Sequence, residues 1–263
     1  MGEPRFRVEA GAASDTAGRP HNEDSFTIVA PVFAVADGMG GNQRGDRASA
    51  LAIEALVALS DRVWLRPEAL EDAIHWAGRE IGHLGQGRGA PGSTLAGAGL
   101  ALSGGLPCWL VFNIGDSRVY RLQDGLLEQI SVDHSVVQQL LDAGQPDQAA
   151  IAPRNLITRA LGAGQLVAPP TDRWLLPARI GDRLLICSDG LTGALSDQLI
   201  SAILLSSASP QAIAEDLVQT AVTAGATDNV TAVVVTATDV WPEPPADDDD
   251  LLHTTVPDVE VGL

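Results

Sequence analysis

Short apolar runs separated by polar turns dominate this chain, and they predict more strands than helices. Apolar residues recur at helical spacing over 47–59, and residues 67–84 begin with proline and acids, which favours a second helix. Residues 230–238 are rich in valine and threonine and predict a final strand. The other predicted strands cover 6–14, 26–36, 93–102, 108–114, 118–122, 126–130, 173–176 and 183–188, and the other helices cover 134–143, 197–205 and 210–224. Strands joined by hairpins rather than by regular helical crossovers predict an α+β fold with antiparallel sheets.

Two segments lack such a pattern. Residues 145–152 are small and polar, which predicts a mobile loop. Beyond Trp241 the chain is rich in proline and aspartate, and we assign it no structure. Because 263 residues suit a single domain, we expect one folded domain over 1–240 and an acidic, disordered tail over 241–263.

A long uncharged stretch raises the question of a membrane span. The 27 residues between Arg88 and Asp116 carry no charge, which is long enough to cross a bilayer. The stretch is rich in glycine and is interrupted at Gly105-Leu106-Pro107, so we interpret it as a hairpin of two core strands. The first residues also lack the apolar segment of a secretory signal. We therefore expect a soluble, cytoplasmic protein.

The charged residues exclude several classes of protein. The chain has 34 acids against 16 bases, all arginine, and a net charge of −18. P-loops and protein-kinase sites use a lysine at the phosphates, and Schiff-base catalysis requires one, so these are excluded. A surface this acidic should repel nucleic acid and anionic membranes, and we expect neither as a partner. Cys108 and Cys187 lie in apolar runs as buried thiols, and no Cys/His spacing suggests zinc.

Two of the apolar runs end in the same way. Residues 32–36 lead directly into Asp37-Gly38, and residues 184–188 lead directly into Asp189-Gly190. A strand end holds a carboxylate rigidly, and glycine lets the backbone bring a carbonyl close to a ligand. Two such ends side by side would suit hard divalent cations, which prefer oxygen ligands.

Three further acidic motifs accompany these two. In chain order the five are Arg19-Pro20-His21-Asn22-Glu23-Asp24, Asp37-Gly38-Met39-Gly40-Gly41, Gly115-Asp116-Ser117-Arg118, Ser188-Asp189-Gly190-Leu191 and Thr227-Asp228-Asn229. Together, in this order, they resemble the metal-dependent (PPM, type 2C) serine/threonine protein phosphatases, especially the compact bacterial members. The resemblance runs from about residue 14 to residue 238 and includes the segments 92–94, 133–135 and 155–162. It implies a four-layer α/β/β/α sandwich of two antiparallel sheets flanked by helices, with the metal site in a cleft at one end.

The resemblance also implies roles for individual residues. Asp37 would bridge two Mn²⁺ or Mg²⁺ ions, and the carbonyl of Gly38 would be a further ligand. Asp189 and Asp228 would bind one ion, while Glu23 would reach the other through a water whose surroundings Asp24 supports. Asp116, together with Asp189, would serve a third, weaker metal position. Arg19 would hold the substrate phosphate.

The chemistry of phosphate esters supports this interpretation independently. Phosphate monoesters hydrolyse extremely slowly unaided, and two cations about 3.5–4 Å apart can activate water and stabilise its attack. An arginine fork matches two phosphate oxygens at once. We expect direct attack by metal-bound hydroxide without a phosphoenzyme, because Asp37 and Asp189 would both be metal ligands.

The expected activity is therefore hydrolysis of phosphoserine and phosphothreonine in proteins, opposing a bacterial serine/threonine kinase, by a monomeric enzyme. Two alternatives stay open: an inactive pseudophosphatase that binds phosphoproteins, and a phosphatase of small phosphoesters. All the expected ligands are present, which counts against the first.

Several residues near these motifs have simpler interpretations. Met39 follows the first Asp-Gly, where some family members carry a histidine, so a metal-bound water, His21 or His134 would have to protonate the leaving group. We nevertheless interpret His134 as a core or helix-start histidine, and Arg118 and Arg159 as structural ion-pair partners. In the family, the segment corresponding to about 134–165 forms a flap beside the cleft that influences substrate choice.

Overall fold

Three hydrophobic cores separate four layers of secondary structure. The computed structural model describes residues 2–40, 44–87, 89–244 and 254–255. The strands are β1 (Arg5–Asp15), β2 (Asp24–Thr27), β3 (Val32–Met39), β4 (Gly92–Ser93), β5 (Leu95–Ser103), β6 (Leu106–Ile114), β7 (Arg118–Gln123), β8 (Leu126–Gln129), β9 (Leu161–Gly162), β10 (Asp172–Pro177), β11 (Arg183–Cys187), β12 (Val230–Trp241) and β13 (Thr254–Thr255). The helices are α1 (Gly45–Val57), α2 (Pro67–His83), α3 (Val136–Asp142), α4 (Pro146–Ile151), α5 (Asp189–Ala194), α6 (Asp197–Leu204) and α7 (Pro210–Thr223).

The strands form two antiparallel sheets. The five-stranded sheet has the order β1-β12-β11-β7-β8, so the first strand of the domain pairs with its last long one. The eight-stranded sheet has the order β13-β10-β6-β5-β3-β4-β9, and β2 pairs with β3 beside this path. The sandwich predicted from the sequence is confirmed: α1 and α2 cover the larger sheet, while α5, α6 and α7 cover the smaller one.

Strands β3 and β12 are largely buried on both faces, which explains their continuous apolar runs. In β3, Phe33 and Val35 pack between the two sheets, whereas Ala34 faces α1 and α2. In β12, Val233 enters the core between the sheets and Val234 the core under α7. Each strand thus contributes alternate side chains to two different cores. The candidate site lies where β3 ends and β12 begins.

The structure differs from the sequence-based expectations in three places. The predicted strand 26–36 is a hairpin of β2 and β3, and β3 continues through Asp37 to Met39 instead of ending before it. The predicted mobile loop 145–152 contains α4, with a proline at its first helical position. The short helix α5 follows β11 directly, and the sequence analysis did not predict it.

The tail also contains an element that was not predicted. Thr254–Thr255 pairs with Trp174 and Leu175 at the edge of the larger sheet, so these two residues are not without structure. Residues 245–253 and 256–263 lie outside the described residues, and for them disorder stays a prediction. Within the described ranges, no helix is both long enough and apolar enough to cross a membrane.

Candidate metal centre

An open cavity of about 260 Å³ lies at one end of the sandwich and collects most of the predicted site residues. Its walls include Arg19, Glu23, Asp37, Gly38, Asp116, Asp189 and Asp228. The remaining predicted residue, Asp24, lies behind this surface. From the flap-like segment, Asn155 and Ile157 contribute to the wall. Five acids and one arginine from separate motifs are thus brought to one place.

Asp37 is held by hydrogen bonds with the segment 93–94 and by its pairing with β2. Its N–H donates to Thr94 Oγ1 at 2.9 Å, and its carbonyl accepts from Ser93 Oγ at 3.1 Å. Asp24 on β2 lies directly opposite Asp37 in the β2–β3 register. The hairpin therefore fixes two acids of the site relative to each other, although they are far from adjacent in sequence.

Gly38 is required by close packing of the backbone. Its N–H donates to Glu23 O at 3.1 Å. A Cβ at this position would lie 2.1 Å from the Gly45 carbonyl oxygen and 2.6 Å from the Glu23 carbonyl oxygen. No side chain fits between these segments, so glycine keeps Glu23 and the start of α1 against the metal cleft.

Asp189 and Asp228 come together because the end of β11 lies beside the start of β12. Asp189 is the first residue of α5, and Asp228 immediately precedes Asn229 and β12. At Gly190 an added Cβ would lie 2.0 Å from the Asn229 carbonyl oxygen. This second Asp-Gly glycine therefore also serves close backbone contact.

Asp24 forms a supporting layer under the site. One of its oxygens, Oδ2, accepts hydrogen bonds from Thr231 Oγ1 at 2.7 Å and from Ser188 Oγ at 2.8 Å. Its other oxygen, Oδ1, is buried without a hydrogen-bond partner, and the same holds for Asp189 Oδ1. Buried acceptors without a donor are costly, which suggests that a cation or its water shell completes the site.

Arg19 reaches the cavity through an ion pair with Asp228. The Nη2 atom of Arg19 donates to Asp228 Oδ2 at 2.6 Å, and both side chains are roughly half exposed. An exposed ion pair of this kind contributes little to the free energy of folding. Arg19 is therefore available to another anion once its guanidinium leaves Asp228.

Asn229 is a site residue whose role the sequence analysis did not identify. Its buried side chain accepts from the Glu23 N–H at 2.9 Å and donates to the carbonyl oxygens of Thr16 and His21, at 3.2 and 3.0 Å. It ties the segment that carries Arg19 and Glu23 to the start of β12. Its place directly after Asp228 was the only signal in the sequence, and that signal did not indicate these contacts.

Asp116 lies on a turn that His134 clamps. His134 Nδ1 accepts from the Gly115 N–H at 3.0 Å, and the His134 N–H donates to Gly115 O at 2.9 Å. With Nδ1 acting as an acceptor, the ring proton lies on Nε2, which faces Asp172 Oδ2 at 3.1 Å. Arg159 donates to the other oxygen of Asp172 at 2.6 Å. This network links the Asp116 turn to the flap-like segment.

The simpler interpretations of three residues are confirmed. His134 is buried, and it is not among the described residues that line the cavity. Arg118 pairs with Asp133 at 2.7 Å and Arg159 with Asp172, so both are ion-pair partners.

Crowding and burial raise the pKa of the carboxyls in this site. Burial raises the pKa of Asp116 to about 7, with a further contribution from Asp189. Burial also raises the pKa of Asp24 to about 6, against the hydrogen bonds from Thr231 and Ser188. The pKa of Asp37 is raised well above its ordinary value by burial and then by Asp24 and Asp189. For Asp189, burial and the charge of Asp228 raise the pKa. If these carboxyls are all ionised at once, they need positive charge nearby to offset their mutual repulsion.

The donor set fits hard divalent cations. The candidate ligands are carboxylates and the Gly38 carbonyl, which are the oxygen donors that Mn²⁺ and Mg²⁺ prefer. Across the described ranges, no three acidic, histidine or cysteine side chains are already arranged as a complete cation cage. Asp228, one of the candidate ligands, is paired with Arg19.

The pH dependence of stability should differ between the cation-free and the cation-bound protein. Asp24 and Asp116 have folded-state pKa values of about 6 and about 7, above those of unfolded carboxyls. In EDTA the folded state therefore binds more protons than the unfolded state does. The unfolding temperature should rise as the pH falls from 8 to 5.5. Asp172, whose pKa is lowered by His134, loses its contribution only below that range. With saturating Mn²⁺ the gain should disappear. A flat or falling unfolding temperature in EDTA, measured by calorimetry, would contradict this account.

Comparison with known proteins places the chain in a family. Residues 18–219 match the family model described as Protein phosphatase 2C. The serine/threonine phosphatase stp of Listeria welshimeri is 34% identical over 252 residues, which cover 88% of this chain and 94% of that protein. The serine/threonine protein phosphatase PstP of Mycobacterium tuberculosis is 38% identical over 238 residues, covering 84% of this chain and 43% of that longer protein.

A solved structure agrees with these matches. The crystal structure of the catalytic domain of the serine/threonine protein phosphatase PstP, in complex with two manganese ions, has a TM-score of 0.76 and 34% identity, and the alignment covers 89% of this chain and 100% of that one. Together, the fold and the acidic site define this protein as a metal-dependent phosphatase. The chain belongs to the protein phosphatase 2C family.

Proposed function

We propose that this chain hydrolyses phosphoserine and phosphothreonine in proteins, with two Mn²⁺ or Mg²⁺ ions held by the acids of the candidate metal centre. The observation that carries the proposal is that Arg19 and five acids line one open cavity. The manganese-bound PstP neighbour and the serine/threonine phosphatases among the relatives support it.

The residues would divide the work as follows. Asp37 would bridge the two cations, and Asp189 and Asp228 would hold one of them. The Gly38 carbonyl would be a further ligand, and Glu23 would reach the other cation through a water. Asp116 would serve a third position, and Asp24 would orient the solvent around Glu23. When bound, such cations lower the pKa of water and neutralise charge on the phosphoryl group.

Arg19 would orient the phosphate. Its guanidinium can donate to two phosphate oxygens at once, and its present partner Asp228 is one of the proposed ligands. None of the described residues that line the cavity is a histidine, and Met39 cannot donate a proton. The proton for the departing hydroxyl would therefore come from solvent in the cleft.

An open, shallow cleft suits a phosphorylated residue on an exposed loop of another protein. The flap-like segment at 134–165 borders the cleft through Asn155 and Ile157 and would contact such a protein. We further propose that the substrates are targets of a serine/threonine kinase, and that the enzyme acts in the cytoplasm as a monomer. Gel filtration with light scattering tests the last point, and a dimer would contradict it.

The first test is hydrolysis of p-nitrophenyl phosphate and of a phosphothreonine peptide with EDTA, Mg²⁺ or Mn²⁺. We expect turnover with either metal and none in EDTA. Peptide hydrolysis without preference over small phosphoesters would favour the small-molecule alternative. Peptide binding without turnover under any condition would favour a phosphoprotein-binding protein instead.

Replacing Arg19 should weaken phosphate binding. Arg19→Ala removes charge-assisted hydrogen bonds of roughly 1.5–3 kcal/mol, so kcat/KM should fall about 10- to 100-fold for both substrates. The kcat/KM of Arg19→Lys should lie between those of wild type and Arg19→Ala, because lysine keeps the positive charge but cannot donate to two phosphate oxygens as the guanidinium does. Arg5→Ala is the matched control, since Arg5 pairs with Asp239 on β12. Equal activity of Arg19→Ala and Arg5→Ala would remove Arg19 from the site.

His134 should matter as a positioning residue. His134→Ala would leave the Gly115 N–H without its acceptor and loosen the Asp116 turn. We expect kcat to fall about 10- to 100-fold, the usual effect of losing an outer-shell partner, and the Mn²⁺ concentration for half-maximal activity to rise. KM should change little, and His75→Ala, on the exposed side of α2, should behave as wild type. A change in KM alone would contradict this role.

A further inference from the structure

A second depression adjoins the metal cleft on the far side of Asp189 and Asp228. It measures about 300 Å³ and is bounded by the end of α5, at Gly193, and by the turn at 224–227 after α7. The same two aspartates line the metal cleft, so they form a wall shared by both cavities. A residue of extended chain spans about 3.3 Å, so a peptide whose phosphate lies in the cleft can reach the depression within a few residues.

The depression offers hydrogen-bond acceptors rather than donors. The N–H groups of Ala224, Gly225 and Ala226 already donate to carbonyls of the last turns of α7, at 2.8, 3.0 and 3.0 Å. Two helices end here, and neither has a basic residue in its last turn. Helix C-termini present free carbonyl oxygens and a partial negative charge. Together with the two aspartates, they leave the depression acceptor-rich.

No base among the described residues that line the depression supplies positive charge there. Of the described residues that line the depression, none is arginine or histidine, and the chain has no lysine. Arg19 contacts Asp228 from the metal cleft, on the other side of the wall. The remaining lining is glycine, alanine and one threonine, which leaves room for a long side chain.

We propose that this depression, defined by Gly193, Ala194, residues 224–227 and the shared aspartates, is a substrate subsite for an arginine or lysine close to the phosphorylated residue. The proposal rests on the proposed function and specifies its substrates. The aliphatic stem lies along the glycine and alanine wall, and the cationic end donates to the carbonyl and carboxylate oxygens. The enzyme would thus prefer phosphorylated sites in basic sequences.

Gly193 is the position at which this subsite can be altered without disturbing the fold. A Cβ added there meets no atom within 4 Å, and its φ angle is not in the left-handed region. Gly193→Lys therefore places a positive charge at the depression, Gly193→Glu a negative one, and Gly193→Ala controls for the loss of glycine. Because Gly193 lies four residues after Asp189 on α5 and both line the depression, the Mn²⁺ concentration for half-maximal hydrolysis of p-nitrophenyl phosphate is measured for each variant.

The experiment measures kcat/KM for phosphothreonine peptides that differ in one residue. At each of the three positions before and after the phosphothreonine, arginine, glutamine and glutamate are compared. We expect wild type to favour arginine over glutamate at one or more positions by about two- to fivefold, the size of a partly exposed ion pair, mainly through KM. Gly193→Lys should abolish or reverse the preference, and Gly193→Glu should increase it. Each variant's preference is compared with its own hydrolysis of p-nitrophenyl phosphate, which reports any effect of the substitution on the metal site.

Two results would overturn the subsite. One is a wild type that hydrolyses p-nitrophenyl phosphate but ignores charge at all six positions. The other is a Gly193→Lys variant that keeps the wild-type preference for arginine over glutamate. If wild type turns over nothing, the proposed function fails, and fluorescence anisotropy of labelled arginine and glutamate phosphopeptides then decides the subsite alone: tighter binding of the arginine peptide, lost in Gly193→Lys, supports it, and equal binding refutes it.

Discussion

Asp37→Asn should abolish turnover and at the same time make the cation-free protein harder to unfold. Asp37 is the proposed bridging ligand, so its loss should cost more than the roughly 10- to 100-fold typical of outer-shell partners. Without cations the same carboxylate is destabilising, because burial and the charges of Asp24 and Asp189 raise its pKa. Asparagine has nearly the same shape and carries no charge. In EDTA at pH 8 the unfolding temperature should therefore rise by about 2–4 °C per kcal/mol of repulsion removed.

The measurements are Mn²⁺-dependent hydrolysis of p-nitrophenyl phosphate and thermal unfolding with and without Mn²⁺. Wild type should be strongly stabilised by Mn²⁺ and the variant much less. Asp61→Asn, at an exposed turn after α1, is the matched control and should change neither property. A variant that is inactive but also less stable than wild type in EDTA would show that Asp37 has mainly a structural role.

Gly190→Ala should be among the most damaging single changes in the chain. The added Cβ would lie 2.0 Å from the carbonyl oxygen of Asn229, a backbone atom that cannot move without shifting β12. Overpacking typically costs about 1–3 kcal/mol and occasionally more, and backbone contact this close places Gly190 at or above the top of that range. An unfolding temperature lower by roughly 6–12 °C is expected. Activity should fall as well, because the displaced segments carry Asp189 and Asp228.

The control for this prediction lies three residues further along the same helix. Gly193→Ala adds the same methyl group in open space, and alanine is the better helix former by up to about 1 kcal/mol. Its stability should be unchanged or slightly higher. If both variants unfolded at the wild-type temperature, the close approach of Gly190 to Asn229 would not exist in solution.

The parts of the site that depend only on residues adjacent in sequence could be predicted. Asp37-Gly38 and Asp189-Gly190 both follow apolar runs, and that pattern alone indicated rigid carboxylates with glycine beside them. The order of the five motifs then suggested which acids belong together. The ends of the strands were harder to predict. β3 continues beyond Asp37 because Gly38 pairs with Ser93 of β4.

Other features depended on neighbours that no local pattern reveals. The helix α4 follows a proline in a segment whose polar composition suggested a loop. Asn229 connects Glu23, Thr16 and His21, about 200 residues away in sequence. The acceptor-rich depression exists only because α5 and the end of α7 meet beside Asp189 and Asp228.

By itself, then, the sequence determined the class of fold, because periodicity and turn chemistry act over a few residues. The resemblance of the five motifs to the family predicted which acids form the site and the oxygen-donor chemistry that they offer. Tertiary structure decided that Asp24 faces Asp37, that Asp228 is paired with Arg19 and that His134 clamps the Asp116 turn. Those relations depend on sheet register and on packing between distant segments, and register is strongly specified wherever a face of the strand is buried, because a one-residue slip would expose its apolar side chains.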